Sequence, residues 1–185
     1  MKIFKNEQGF SYVEVIVAIL IMTIGILAML SAISLAMLRA KESDSRNTAR
    51  QITSSALESI FAARDLRNNN PLNNWSAIDN NTAGTPAGIF VSGWTPIRES
   101  GGLDGIHGTA DDACATGTNC TVGTYTNSSP EMVGFERKIT ITNVIINGSP
   151  DPARKNVEIS VRFRTGQLVR TETINTIVAD LPFNN

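Results

Sequence analysis

From Val15 to Leu38 the chain reads "VIVAILIMTIGILAMLSAISLAML", without a single charged residue. As an α-helix this run is about 36 Å long, enough to cross a hydrocarbon core of about 30 Å with some tilt. No other feature constrains the fold so strongly, because a segment this apolar must lie in lipid or pack against other apolar helices. One acid, Glu14, stands at its start. A carboxylate inside a membrane span costs about 2.5–3.5 kcal/mol on insertion scales, so its presence calls for a function. Secretory signals have an apolar core of about 7–15 residues and then a small-residue cleavage site. This run is longer, and Ala36 to Ala40 only approximates such a site. Lys2 and Lys5 precede the span, while Arg39, Lys41, Arg46 and Arg50 follow it, so the flanking charge does not assign its orientation.

Beyond Leu38 the helical pattern continues without Pro or Gly. Ala49, Ile52, Ala56, Ile60 and Ala63 recur at helical spacing, with Arg46, Arg50, Glu58 and Asp65 elsewhere around the wheel. This predicts an amphipathic half-helix over 39–66, ended by Asn68, Asn69, Asn70 and Pro71. Residues 67–132 are rich in Gly, Asn, Thr, Ser and Pro and read as a loop-rich region with one or two short strands, such as Ile89 to Val91. The last third reads as strands: Val133–Ile146, Asn156–Arg164 and Gln167–Ala179 are rich in β-branched residues. In the second, Val157, Ile159, Val161 and Phe163 alternate with Glu158, Ser160, Arg162 and Arg164. Asn147 to Pro150 and Thr165-Gly166 supply the connections. A three-stranded antiparallel meander over 133–179 follows, and the helical stripe is the available cover for one face. The predicted class is α+β.

Net charge is −1, from 16 basic and 17 acidic residues, so no overall basic field exists to collect nucleic acid. Cys114 and Cys120 form a small-loop disulfide if their segment lies outside the cytoplasm and stay free thiols otherwise. Their spacing fits neither a C-x-x-C redox motif nor a zinc set. In "GLDGIHGTADDACATGTNC", Asp104, Asp111 and Asp112 among glycines are candidate oxygen ligands for Ca²⁺; the other reading is a solvated turn region. His107, the one histidine, has no identifiable catalytic partners and reads as a loop residue. No nucleophile triad, phosphate-binding loop or paired-carboxylate motif stands out, so nothing points to an enzyme.

The junction is the specific feature. A short basic leader ends at Gly9, Phe10 follows, and Glu14 stands four residues later before the apolar run. This arrangement resembles the prepilins of type IV pili and the pseudopilins of type II secretion. The continuation "VEVIVAILIMTIGILAM" is most similar to minor pilins of the PilV type. The resemblance covers residues 1 to about 66. It implies a leader at 1–9, a transmembrane and assembly half of the helix at 10–38, its amphipathic half at 39–66, and a pilin-like globular head at 67–185. It also implies cleavage between Gly9 and Phe10 by a prepilin peptidase, followed by N-methylation of Phe10. Glu14 of one subunit would then neutralise the Phe10 amine of a neighbour, which fixes register where each charge alone is expensive. Gly25, Ala28, Ala32, Ala36 and Ala40 are small residues on one side of the helix, suited to close helix packing, although alanine is common in membrane helices generally. Two departures stand out. The span has no Pro, which many major pilins carry, and the cysteines precede the main strands, whereas many major pilins close a disulfide loop near the C-terminus.

The expected function is that of a minor pilin that primes filament assembly or forms the tip. It would be held in the bacterial inner membrane with its head in the periplasm, then built into an extracellular pilus. Its partners would be the prepilin peptidase, other major and minor pilins through the N-terminal helix, the inner-membrane assembly platform and, before assembly, lipid. The alternatives are a type II secretion pseudopilin and a membrane-tethered, calcium-dependent binding module.

Overall fold

The computed structural model describes residues 11–66, 75–81, 88–114 and 129–180. The chain divides into two compact units, Met1–Ser43 and Asp44–Asn185. Helix α1 (Tyr12–Leu66) contributes to both.

In the first unit the Ser11 carbonyl accepts the N–H groups of Glu14 at 2.9 Å and Val15 at 3.3 Å, which starts the helix. Ser31 and Ser34 return their hydroxyls to the carbonyls of Ala28 at 2.8 Å and Leu30 at 2.9 Å, and Thr23 does the same to Ile19. Each hydroxyl is thereby satisfied inside the helix, as an apolar surrounding requires. From Tyr12 through Lys41 every residue is exposed in the isolated chain. By length and composition, α1 can cross a membrane.

The second unit has the α+β layout expected from the sequence. The rest of α1 packs on an antiparallel sheet formed by β3 (Thr95–Arg98), β4 (Glu131–Ile146), β5 (Ser149–Thr165) and β6 (Leu168–Ala179), in the order β3-β4-β5-β6. Two further short strands, β1 (Asn80–Asn81) and β2 (Phe90–Val91), pair in parallel. The inner stripe of α1 delivers Ala49, Ala56, Ile60 and Ala63, all buried, with Ile52 partly buried beside them. Ala56, Ile60 and Ala63 share a cluster with Ile139, Ile141, Val157, Ile159 and Val178 of the sheet and with Ile78, Phe90 and Ile106 of the connecting region. Ala49 lies in a second cluster with Ile97, Val161 and Phe163. Alanines on the stripe let the helix backbone come close to the large β-branched residues opposite.

The sheet differs from the expected three-stranded meander by one strand. β3 comes from the loop-rich region and pairs with β4 through Thr95↔Arg137, Pro96↔Glu136 and Arg98↔Glu131, with a register shift after Pro96. Proline argues against a central strand, but at an edge its missing N–H faces away from the ladder. The β4–β5 turn is also tighter than the sequence suggested. Asn147 (φ 51°) and Gly148 (φ 81°) alone make the connection, both left-handed, as a two-residue turn matched to strand twist demands. Pro150 and Pro152 fall inside β5, where β6 pairing has not yet begun, since that ladder starts at Arg154↔Ala179.

Where β3 no longer covers β4, a side chain replaces a strand. Asn80 Nδ2 donates to the Ile139 carbonyl at 2.9 Å, and its Oδ1 accepts the Ile141 N–H at 2.7 Å. One amide thus imitates a strand partner at an otherwise open edge.

Ile60, fully buried between helix and sheet, sets the energetic scale. Ile60→Ala is expected to destabilise the protein by about 2–4 kcal/mol in denaturant unfolding. Ile177→Ala, at an exposed β6 position, is expected to stay within about 0.5 kcal/mol of wild type.

Candidate functional site

Glu14 lies in the first turn of α1 and is exposed. The unpaired N–H groups of a helix start carry partial positive charge, so this is the favourable end for a carboxylate. Gly9 and Phe10 lie outside the described residues. Gly25, Ala28, Ala32, Ala36 and Ala40 are all exposed, and nothing lies within 4 Å of a Cβ placed on Gly25. No other part of the described chain covers these positions.

The Gly/Asp loop places its three aspartates together and engages their oxygens in hydrogen bonds of its own. Asp111 Oδ2 accepts the N–H groups of Leu103 at 2.7 Å and Asp104 at 3.2 Å, and its Oδ1 accepts the Thr109 hydroxyl at 2.6 Å. Asp104 Oδ1 accepts the Ile106 N–H at 2.7 Å. Asp112 Oδ2 accepts the Gly108 N–H at 2.8 Å and the Arg137 guanidinium at 2.8 Å. Gly102 (φ 68°) makes the fold of the loop possible, because a Cβ there would stand 2.5 Å from the Asp111 carbonyl oxygen. Among the described residues, no group of three or more His, Cys, Asp or Glu side chains is arranged to hold a metal ion. His107 is half-buried and uses its backbone N–H on the Ser59 hydroxyl of α1 at 3.3 Å.

The loop is tied to the sheet by a partner that the sequence reading overlooked. Arg137 has a side chain only 3% exposed, on the inner face of β4. The signal was present in the alternation Phe135, Arg137, Ile139, Ile141, which puts the arginine among core residues. Burial pushes Asp112 up and Arg137 down, each toward its neutral form, against the attraction between them. Among the described residues Arg137 Nε has no hydrogen-bond partner, and Asp112 is the acid paired with this buried cation.

Cys114 is fully buried and disulfide-bonded. Cys120, the only other cysteine in the chain, lies outside the described residues. At one end of the sheet a shallow depression lies between Pro96, Gly134, Glu136, Arg162, Arg164 and Val169. There Arg162 pairs with Glu136 and stacks 4.4 Å from the centre of the Trp94 ring, which occupies both polar groups.

Two substitutions read the loop. Asp112→Ala leaves Arg137 buried and uncompensated and is expected to cost about 3–5 kcal/mol in denaturant unfolding; pairing it with Arg137→Met should recover much of that loss. Asp104 has its carboxyl raised from 3.8 to about 6, first by loss of water and then by the neighbouring Asp111 and Asp112 charges. The folded chain therefore binds this proton more tightly than the unfolded chain. The penalty is complete above pH about 6 and fades as pH falls through 6 toward 4. Asp104 is exposed as a residue, so solvent screening reduces the effect to about 1 kcal/mol. Asp104→Asn keeps the acceptor oxygen and removes the titration. Its melting temperature is expected to exceed wild type by about 2–4 °C at neutral pH, with the gap closing in acid.

Comparisons of the chain with protein-family models, curated proteins and solved structures find no match.

Proposed function

We propose that this chain is a minor pilin: a structural subunit synthesised as a prepilin, processed after Gly9, and built through its N-terminal helix into a type IV pilus, where it primes assembly or forms the tip. The observation that carries the reading is the division of labour within α1. From Tyr12 through Lys41 the helix is exposed and largely apolar, with one acid in its first turn, whereas its later stripe is buried under an antiparallel sheet. A simple anchor needs the apolar run but gains nothing from Glu14. A packing helix uses both.

Before assembly the apolar half resides in the bacterial inner membrane with the head in the periplasm, and assembly exchanges lipid for neighbouring helices. Glu14 meets the freed Phe10 amine of an adjacent subunit, so two charges that are costly apart are removed from hydrocarbon together. The chain acts through contacts rather than catalysis.

Processing tests this directly. The N-terminus and intact mass of the protein from membranes of cells with and without prepilin peptidase are expected to show a methylated Phe10 start only when the peptidase is present. Retention of Met1 in both strains, or a start after Ala40, would leave a tethered or secreted binding domain instead. Glu14→Ala should leave head stability unchanged and lower incorporation into filaments at least about tenfold, the expected consequence of stranding one buried charge.

A further inference from the structure

At one end of the sheet, β4 and β5 part. Between the pairs Pro96↔Glu136 and Arg98↔Glu131, β3 has only Ile97 whereas β4 has residues 132–135, so β4 bulges, with Gly134 left-handed (φ 87°) inside the bulge. The β4–β5 ladder begins at Phe135↔Phe163. The last two residues of β5 pair with β6 alone, through Arg164↔Val169 and Thr165↔Leu168. Val133, 91% exposed in the bulge, lines the depression together with Val169, 57% exposed. Leu168, 62% exposed, precedes Val169 at the β5–β6 turn. Three large aliphatic side chains thus face water at one end of the sheet, which marks a surface that meets an apolar partner.

The charge around them is positive. From Arg164 through Arg170 there are two arginines and no acid, and both arginines are exposed. Glu131, Glu136 and Glu172 at this end are already engaged, Glu131 by Arg98 at 2.5 Å, Glu136 by Arg162, and Glu172 by Arg46 at 2.6 Å and Arg50 at 3.5 Å. Arg164 makes no ion pair among the described residues. The partner is therefore apolar and anionic together. α1 enters the second unit at this same end, where Ala49 packs with Phe163. Arg46 comes eight positions after Leu38, the last residue of the run that is long and apolar enough to cross a membrane. At the opposite end of the sheet Ile145 is exposed too, but the arginine there, Arg154, pairs with Asp151 at 3.3 Å.

Resting on the part of the minor-pilin reading that places α1 in a membrane, we propose that this end of the sheet docks on the anionic lipid headgroups of the same bilayer. Val133, Leu168 and Val169 enter the headgroup layer, and Arg164 and Arg170 meet lipid phosphates. Aliphatic side chains beside arginines suit that layer, because the apolar part leaves water while the guanidinium finds an anion. Docking holds the second unit on the membrane before assembly, and entry into a filament ends it.

The experiment uses the full-length chain in vesicles of phosphatidylglycerol and phosphatidylcholine, with one introduced cysteine carrying a fluorophore; among the described residues no native cysteine is free. Gln167→Cys places the label in the β5–β6 turn, Ser149→Cys at the opposite end of β5, and Ala28→Cys in the apolar run. Headgroup spin-labelled lipid quenches the first two, and acyl-chain spin-labelled lipid the third. Quenching at 167 is expected to exceed that at 149 by at least about fivefold, the factor one arginine contributes at an anionic surface. Arg164→Glu, or vesicles of phosphatidylcholine alone, should remove most of that difference, and high salt should weaken it. Equal quenching at 167 and 149, or quenching at 167 that Arg164→Glu leaves unchanged, would overturn the docking. So would a label at 167 that is unquenched in vesicles but shielded in native membranes, which would assign the patch to a protein. If Ala28→Cys is quenched while 167 is not, the docking falls and the membrane residence of α1 stands; if neither is quenched, both fall.

Discussion

The apolar surface of α1 between Val15 and Leu38 has no cover among the described residues, and the rest of the structure depends on that fact. Side chains such as Ile21 and Met22 are 66% and 67% exposed. Soluble monomers rarely expose contiguous apolar patches beyond a few hundred Å², so lipid or other helices must cover this one. Because a helix satisfies its own backbone, and Thr23, Ser31 and Ser34 return their hydroxyls to it, the segment can exchange one apolar neighbour for another without breaking a hydrogen bond. Under the proposed function, this exchange carries the subunit from membrane into filament, and Glu14, the one group that does not fit an apolar surrounding, sets its register.

The second unit solves a different problem. A sheet with one apolar face needs a cover, and the continuing helix provides it through a stripe of alanines and isoleucines. The long connection between helix and sheet is too polar to be held by burial alone. It is attached instead at a few satisfied polar points: Asn80 on the edge of β4, Asp112 on Arg137, and Lys155 on the Ile78 carbonyl at 2.6 Å. The aspartates that make this loop look like a cation site serve its internal architecture, each accepting backbone N–H groups. Breaking one point strands a buried partner, so these few residues matter more than the composition of the segment suggests.

Much of the second unit was legible because its signals are local. A stripe at helical spacing marked Ala49, Ala56, Ile60 and Ala63, and strict alternation marked Val157, Ile159, Val161 and Phe163; these are the residues that close the core. Thr95–Arg98 was not legible. A four-residue edge strand containing Pro96 has no period to detect and exists only because β4 offers it a ladder. Arg137 was visible as a charged residue in an apolar alternation, yet nothing near it named its partner 25 positions earlier in the chain.

By itself, the sequence determined the course of the helix, the apolar character of its first half, the place of the acid at its start and the inner face of the central strand. Each follows from spacing along a few turns or a few residues, which backbone geometry converts directly into a face. Only the tertiary structure decided which residues meet across long separations: Asn80 with the edge of β4, Asp112 with Arg137, and Arg46 and Arg50 with Glu172. Those contacts depend on how the chain closes its loops, and many closures satisfy the same local preferences; the burial of a few charged and amide groups selects among them.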